Sequence, residues 1–100
     1  MQTLYVSCAM RVEFDRTKAA ANLKKHGVPL EDGAASLLDP MALVREDENA
    51  EGEMRFVLVG MCREGRLLTV CYTLRDEDTI RLISARKATR REELQYAQGI

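Results

Sequence analysis

The chain lacks most of what would make its function readable at a glance. It has no tryptophan and few aromatics in 100 residues, which argues against a base-stacking platform of the single-strand-binding kind. A single histidine, His26, argues against a His-based metal site, and no P-loop, GxSxG or HExxH signature is present. The three cysteines, Cys8, Cys62 and Cys71, make an odd set without CxxC spacing, so neither a zinc site nor a disulfide framework is indicated. No apolar run approaches the roughly 20 residues of a membrane span. The opening Met1–Ala9 segment has no basic residue ahead of its apolar middle, a poor secretory signal. These absences predict a cytoplasmic chain without a membrane segment. With 46% hydrophobic and 31% charged residues it is an ordinary globular composition, sized for one modest core.

The pattern along the chain predicts an α+β domain. Residues 1–9 read as an extension and 10–100 as one domain. Met10–Asp15 alternates as a strand. Asp15 caps a helix through Lys25, Gly27 supplies the left-handed end and Pro29 forbids continuation. Ala19, Ala20 and Leu23 form a narrow apolar stripe for docking that helix. A second helix spans Leu30–Leu38 and ends at Asp39-Pro40. Five acids in the eight residues Glu46–Glu53 mark a solvated loop. From Arg55 the period becomes two. A two-residue Glu64-Gly65 turn would place Val57 opposite Tyr72, Val59 opposite Val70 and Met61 opposite Leu68, giving one wholly apolar side. The same register pairs Cys62 with Leu67 and Cys71 with Leu58, too far apart for a disulfide, so both read as small hydrophobes. A strand over Thr79–Ala85 follows, then a capping box, Thr89-Arg-Arg-Glu92, opening a helix over Arg90–Gln98 that stops at Gly99. The expected order is strand, two helices, an antiparallel meander of three to four strands, and a terminal helix.

Charge is nearly balanced, at −1 overall, but it is not evenly spread. Arg81, Arg86, Lys87, Arg90 and Arg91 follow one another with no acid before Glu92. Arg81 must leave the face opposite Ile80 and Leu82. Arg90 and Arg91 occupy a first helical turn, where the macrodipole disfavours cations, and a phosphate or carboxylate there recovers that loss. The plain alternative is that these arginines are solvated and pair with Glu92, Glu93 or Asp76. His26, Lys24 and Lys25 read most simply as helix-end charges. Ser84 has no base beside it in sequence, and Tyr96 reads as packing with an exposed hydroxyl.

Several segments together resemble the BrnT-type toxins of bacterial type II toxin–antitoxin systems. They are Phe14-Asp15, Lys18-Ala-Ala-Ala-Asn-Leu-Lys-Lys-His-Gly-Val28, Asp39-Pro40, Arg55-Phe56 with Gly60, Gly65-Arg-Leu-Leu68, Tyr72-Thr73, and Ile80–Glu92 with Tyr96. The resemblance implies a RelE-like ribonuclease that cleaves RNA without a metal or other cofactor and inhibits translation. It implies a ribbon-helix-helix, BrnA-like antitoxin as partner, with operator DNA reached only through that antitoxin. On this reading Arg81 and Arg86 hold the scissile phosphate, and Arg90 or Arg91 adds substrate contacts together with Lys25, Arg75, Ser84 and Tyr96. His26, Glu92 and Tyr96 are the candidates for proton transfer, with a cyclic 2′,3′-phosphate as product. Two positions depart from the family pattern: Pro29 replaces a hydroxyl residue, and Leu74 stands where relatives often carry an acid. The competing reading is a non-catalytic module whose arginines hold an acidic partner segment.

Overall fold

The computed structural model describes residues 2–7, 10–48 and 52–99. In chain order it has β1 (Gln2–Ser7), β2 (Met10–Phe14), α1 (Arg16–His26), α2 (Asp32–Leu37), β3 (Leu43–Glu46), β4 (Arg55–Met61), β5 (Leu67–Asp76), β6 (Thr79–Lys87) and α3 (Arg90–Gln98). The six strands form one sheet in the order β1-β2-β6-β5-β4-β3. All neighbours are antiparallel except β2 and β6, which run parallel. The α+β class is as expected. Residues 2–7, read from sequence as an extension, form an edge strand paired with β2. Among the described residues no helix is long and apolar enough to cross a membrane.

The helix ends follow local chemistry. The Asp15 carboxylate accepts the Thr17 amide at 2.7 Å, and Gly27, at φ 69°, closes α1 by donating to the Leu23 carbonyl. A side chain at Gly27 would pay for that left-handed conformation. Of the expected docking stripe of α1, Ala19 packs against the core but the rest does not. Ala20 is exposed and Leu23 is half exposed, whereas Asn22 is buried. The Asn22 amide donates to the Val28 and Ala85 carbonyls at 2.8 and 2.9 Å and accepts the Ala85 amide at 3.1 Å. It therefore docks α1 on β6 as a strand would, through backbone groups rather than apolar area. At about 1 kcal/mol per bond, this exceeds what two alanine methyl groups would contribute.

The β4–β5 hairpin is one residue out of the expected register. Phe56 faces Tyr72, Leu58 faces Val70 and Gly60 faces Leu68. The turn has three residues rather than two: Gly65 donates to the Cys62 carbonyl and, at φ 74°, continues the turn into a bulge closed by Cys62 and Arg66. A slip of one residue exchanges the faces. The core side carries Phe56, Leu58, Leu68, Val70 and Tyr72, packed with Val12, Leu82, Val28 and Leu30 beneath α1 and α2. Val57, Cys71, Val59 and Thr69 take the other side. Cys71 pairs with Val57, not Leu58, and Cys62 lies within the turn. Both thiols are free. Cys62 is buried, and burial pushes the half-buried Cys71 thiol up. Cys8 lies outside the described residues.

Candidate nucleic-acid interface

A bulge in β6 builds the site. Arg81 and Arg86 are five residues apart, so simple alternation would send them to opposite faces. The pairing runs Thr73 with Arg81, Tyr72 with Leu82, Cys71 with Ser84 and Thr69 with Arg86. Ile83 is the extra residue, and it shifts the alternation by one. Leu82 and Ala85 thereby both enter the core, while Arg81, Ser84 and Arg86 emerge together on the face that α1 and α2 do not cover. A plain period-two reading misses this. Two bulky apolar residues in succession, Leu82-Ile83, are the nearest signal in the sequence.

Along this face one row crosses four strands: Glu13 on β2, Arg81 on β6, Thr73 on β5 and Arg55 on β4. Arg81 lies 3.5 Å and Arg75 3.7 Å from the same Glu13 oxygen. The expected partners of the arginines were Glu92, Glu93 or Asp76. Arg81 instead meets an acid brought from the other end of the chain by the parallel β2–β6 pairing.

The far end of the face is covered by α3, in which no residue is buried, so two polar clasps hold it. The first is the capping box: Thr89 and Glu92 exchange hydrogen bonds of 3.2 and 2.8 Å. The Glu92 carboxylate also takes two bonds from Arg86, at 2.8 and 3.1 Å, and one from the Thr69 hydroxyl at 2.8 Å. Burial alone would raise its pKa, but these donors override it and hold the carboxyl at about 2. The second clasp is the Tyr96 hydroxyl, expected to be exposed, which donates to Asp39 at 2.6 Å. That bond raises the Tyr96 pKa. Asp39 in turn accepts the Met41 and Met61 amides.

The structure thus brings Arg75, Arg81, Ser84, Arg86 and Glu92 to one face, with exposed Arg90 and Arg91 at the start of α3 beside it. Lys25 and His26 end α1, which packs on the opposite face. Among the described residues no hydrogen bond or ion pair links either to the arginines. Leu74 pairs with Ile80, so an acid at that position would also leave the face opposite Arg81. Arg55 entered the sequence reading only within the resembling Arg55-Phe56 segment and was given no site role. Among the described residues no group of three or more His, Cys, Asp or Glu side chains converges as a metal site would require.

A search of the curated proteins finds no match. Among solved structures, the ribonuclease toxin BrnT of Brucella abortus is similar in fold, with a TM-score of 0.63 at 21% identity over 79% of this chain and 96% of that one. The sequence profile described as "Ribonuclease toxin, BrnT, of type II toxin-antitoxin system" matches residues 14–92. The match takes in the Asp15 cap, Asn22, the arginine row and the Glu92 clasp, and on its extent the chain belongs to the BrnT family of toxins of type II toxin–antitoxin systems.

Proposed function

We propose that the chain is a metal-independent endoribonuclease toxin, and that the arginine face is where it cuts. The observation that carries this reading is the convergence of Arg81, Ser84 and Arg86 on one open sheet face beside the start of α3. In the proposed reaction the RNA 2′-hydroxyl loses its proton and attacks the adjacent phosphorus. The bond to the 5′ oxygen breaks, and that oxygen takes a proton. The products are a 2′,3′-cyclic phosphate and a free 5′-hydroxyl. Arg81 and Arg86 neutralise the pentavalent phosphorane by charge-assisted hydrogen bonds, Ser84 lies between them as a substrate contact, and Arg75, Arg90 and Arg91 hold flanking backbone.

Proton transfer is less well provided for. A carboxyl at about 2 is a weak base at neutral pH, so Glu92 positions Arg86 rather than accepting the 2′-hydroxyl proton. Tyr96 is committed to Asp39. His26 and Lys25 lie with α1 on the other face. The account therefore predicts a slow enzyme whose cleavage rate rises with pH without a bell near pH 7.

Family membership supports the rest of the reading. On this reading the sheet and helix layout is RelE-like, residues 10–100 carry the toxin domain with β1 as an added edge strand of its sheet, and the chain works in the cytoplasm, where RNA cleavage inhibits translation. A ribbon-helix-helix antitoxin neutralises it, and the pair meets operator DNA through the antitoxin. Expression of the chain alone should arrest growth and translation, and co-expression of the neighbouring antitoxin gene should restore both. Unimpaired growth with folded chain accumulating counts against the proposal. One observation favours the second reading, a non-catalytic module holding an acidic segment: Arg81 and Arg86 already meet carboxylates, Glu13 and Glu92. That reading predicts partner binding without RNA turnover.

A further inference from the structure

Arg55 stands across Thr73 from Arg81. Both are register partners of Thr73, so their Cα atoms are two strand spacings apart, about 9–10 Å. The two side chains leave the same face and flank one small residue. The Thr73 hydroxyl does not serve either of them, because it donates to the Met54 carbonyl at 2.6 Å.

These two guanidiniums differ from the hydrogen-bonded arginines of the protein. Arg16 donates to Gln2, Arg66 to Asp32 and Arg86 to Glu92, at 2.8–3.1 Å. Among the described residues Arg55 and Arg81 instead have ion pairs alone, at 4.0 Å to Glu53 and 3.5 Å to Glu13. The Nε of each is shut off from solvent without an acceptor among the described residues. Their side chains nevertheless remain 38% and 27% exposed. A buried donor without an acceptor costs about 1–3 kcal/mol, and two on one face, both cationic, point to an acceptor that arrives from outside. The field of Arg55 also reaches the centre of the face: it opposes the upward push that burial gives the neighbouring Cys71 thiol.

We propose that Arg55 is a further phosphate-binding residue of the open face, and that it shares with Arg81 one phosphodiester group of a single RNA strand above Thr73. The proposal rests on the ribonuclease reading and adds a residue to it. A planar guanidinium on each side lets both offer paired N–H groups to the non-bridging oxygens, a geometry that a lysine cannot reproduce. The strand then runs across the sheet from β4 towards the β6–α3 junction, where Arg86, Arg90 and Arg91 continue the cationic track.

The test measures binding of a labelled 2′-deoxy oligonucleotide of mixed sequence by fluorescence anisotropy over a salt series, beside cleavage of total RNA. Wild type, Arg55→Gln, Arg55→Lys and Arg63→Gln are compared, the last removing an exposed charge from the β4–β5 turn. Arg55→Gln should weaken binding about tenfold, the cost of one charge-assisted contact. It should also lower the salt slope by about 0.7, as expected for one phosphate of a single strand. Arg55→Lys should recover the slope but only part of the affinity, and Arg63→Gln should match wild type. Because the lost donor is unsatisfied in the free protein, the melting temperature of Arg55→Gln should not fall. If wild type cuts RNA and Arg55→Gln binds and cuts equally well, the inference fails and the ribonuclease reading stands. If Arg55→Gln loses antitoxin binding alone, the occupant is an acidic peptide and the inference is overturned. If it loses RNA binding only in step with a fallen melting temperature, Arg55 is structural and the inference is again overturned. A wild type that neither binds nor cuts removes the ribonuclease reading and the inference with it.

Discussion

Replacing Glu92 with Gln removes one charge and leaves the shape almost unchanged. The Thr89 amide and Thr69 hydroxyl, both on Oε1, can still donate to an amide oxygen, so the change isolates the bidentate pair with Arg86. Holding the carboxyl at about 2 rather than at its ordinary 4.5 corresponds to at most about 3.4 kcal/mol, at roughly 1.36 kcal/mol for each tenfold in acidity. Arg86 is 38% exposed, so solvent screening reduces this to about 2 kcal/mol. For a domain of this size that is a fall of about 10 °C in melting temperature at pH 7. The sign follows from the lowered pKa. The contribution is complete above about pH 4.5 and disappears as pH falls towards 2, because protonation of Glu92 breaks the pair in wild type too. Thermal unfolding followed by circular dichroism from pH 7 to pH 2 should show the two proteins converging in acid. Equal stability at pH 7, or a gap that persists unchanged at pH 2, refutes the assignment of Glu92 as the clasp that holds α3 and Arg86.

Three other perturbations test the scaffold. Asn22→Leu keeps the volume but orphans backbone groups of Ala85 and Val28. It should cost about 3 kcal/mol, read as a fall in the urea midpoint at unchanged m-value. Gly60→Ala would bring a Cβ to 2.6 Å from the Ser36 carbonyl of α2. It should cost about 2 kcal/mol through displacement of that helix, again in a urea titration. Tyr96→Phe removes the bond to Asp39 and should cost about 1 kcal/mol, with faster amide exchange confined to residues 90–98, since α3 has no buried side chain.

Elements whose signals are local were legible in the sequence. Asp15, Gly27 and the Thr89–Glu92 box each mark a helix end with chemistry contained in four residues, and the structure uses all of them. Arg81 follows simple alternation and leaves the face opposite Ile80 and Leu82. Registers and partners were less legible, because they depend on where an extra residue goes. One residue more in the Cys62–Arg66 turn set Phe56 and Leu58, rather than Val57 and Val59, beside Tyr72 and Val70 on the core side. One residue more at Ile83 placed Arg86 on the side of Arg81. Asn22 reads as a helix-surface residue until the Ala85 backbone of β6 and the Val28 carbonyl supply its three hydrogen bonds. Glu13 and Arg81, or Arg55 and Arg81, meet only through strand pairing that no short window contains. The family was legible in the quoted segments, and the arrangement of the arginines came from the structure.

Metal-free cleavage of RNA by the arginine face can be tested directly. Purified chain, freed of any antitoxin, should be incubated with total RNA in excess EDTA, with Arg81→Ala alongside and the product ends analysed. Wild type should cut to 2′,3′-cyclic phosphate and 5′-hydroxyl ends, and the cutting should be lost in a variant that remains folded. Intact RNA with folded wild type, or undiminished cutting by Arg81→Ala, contradicts it.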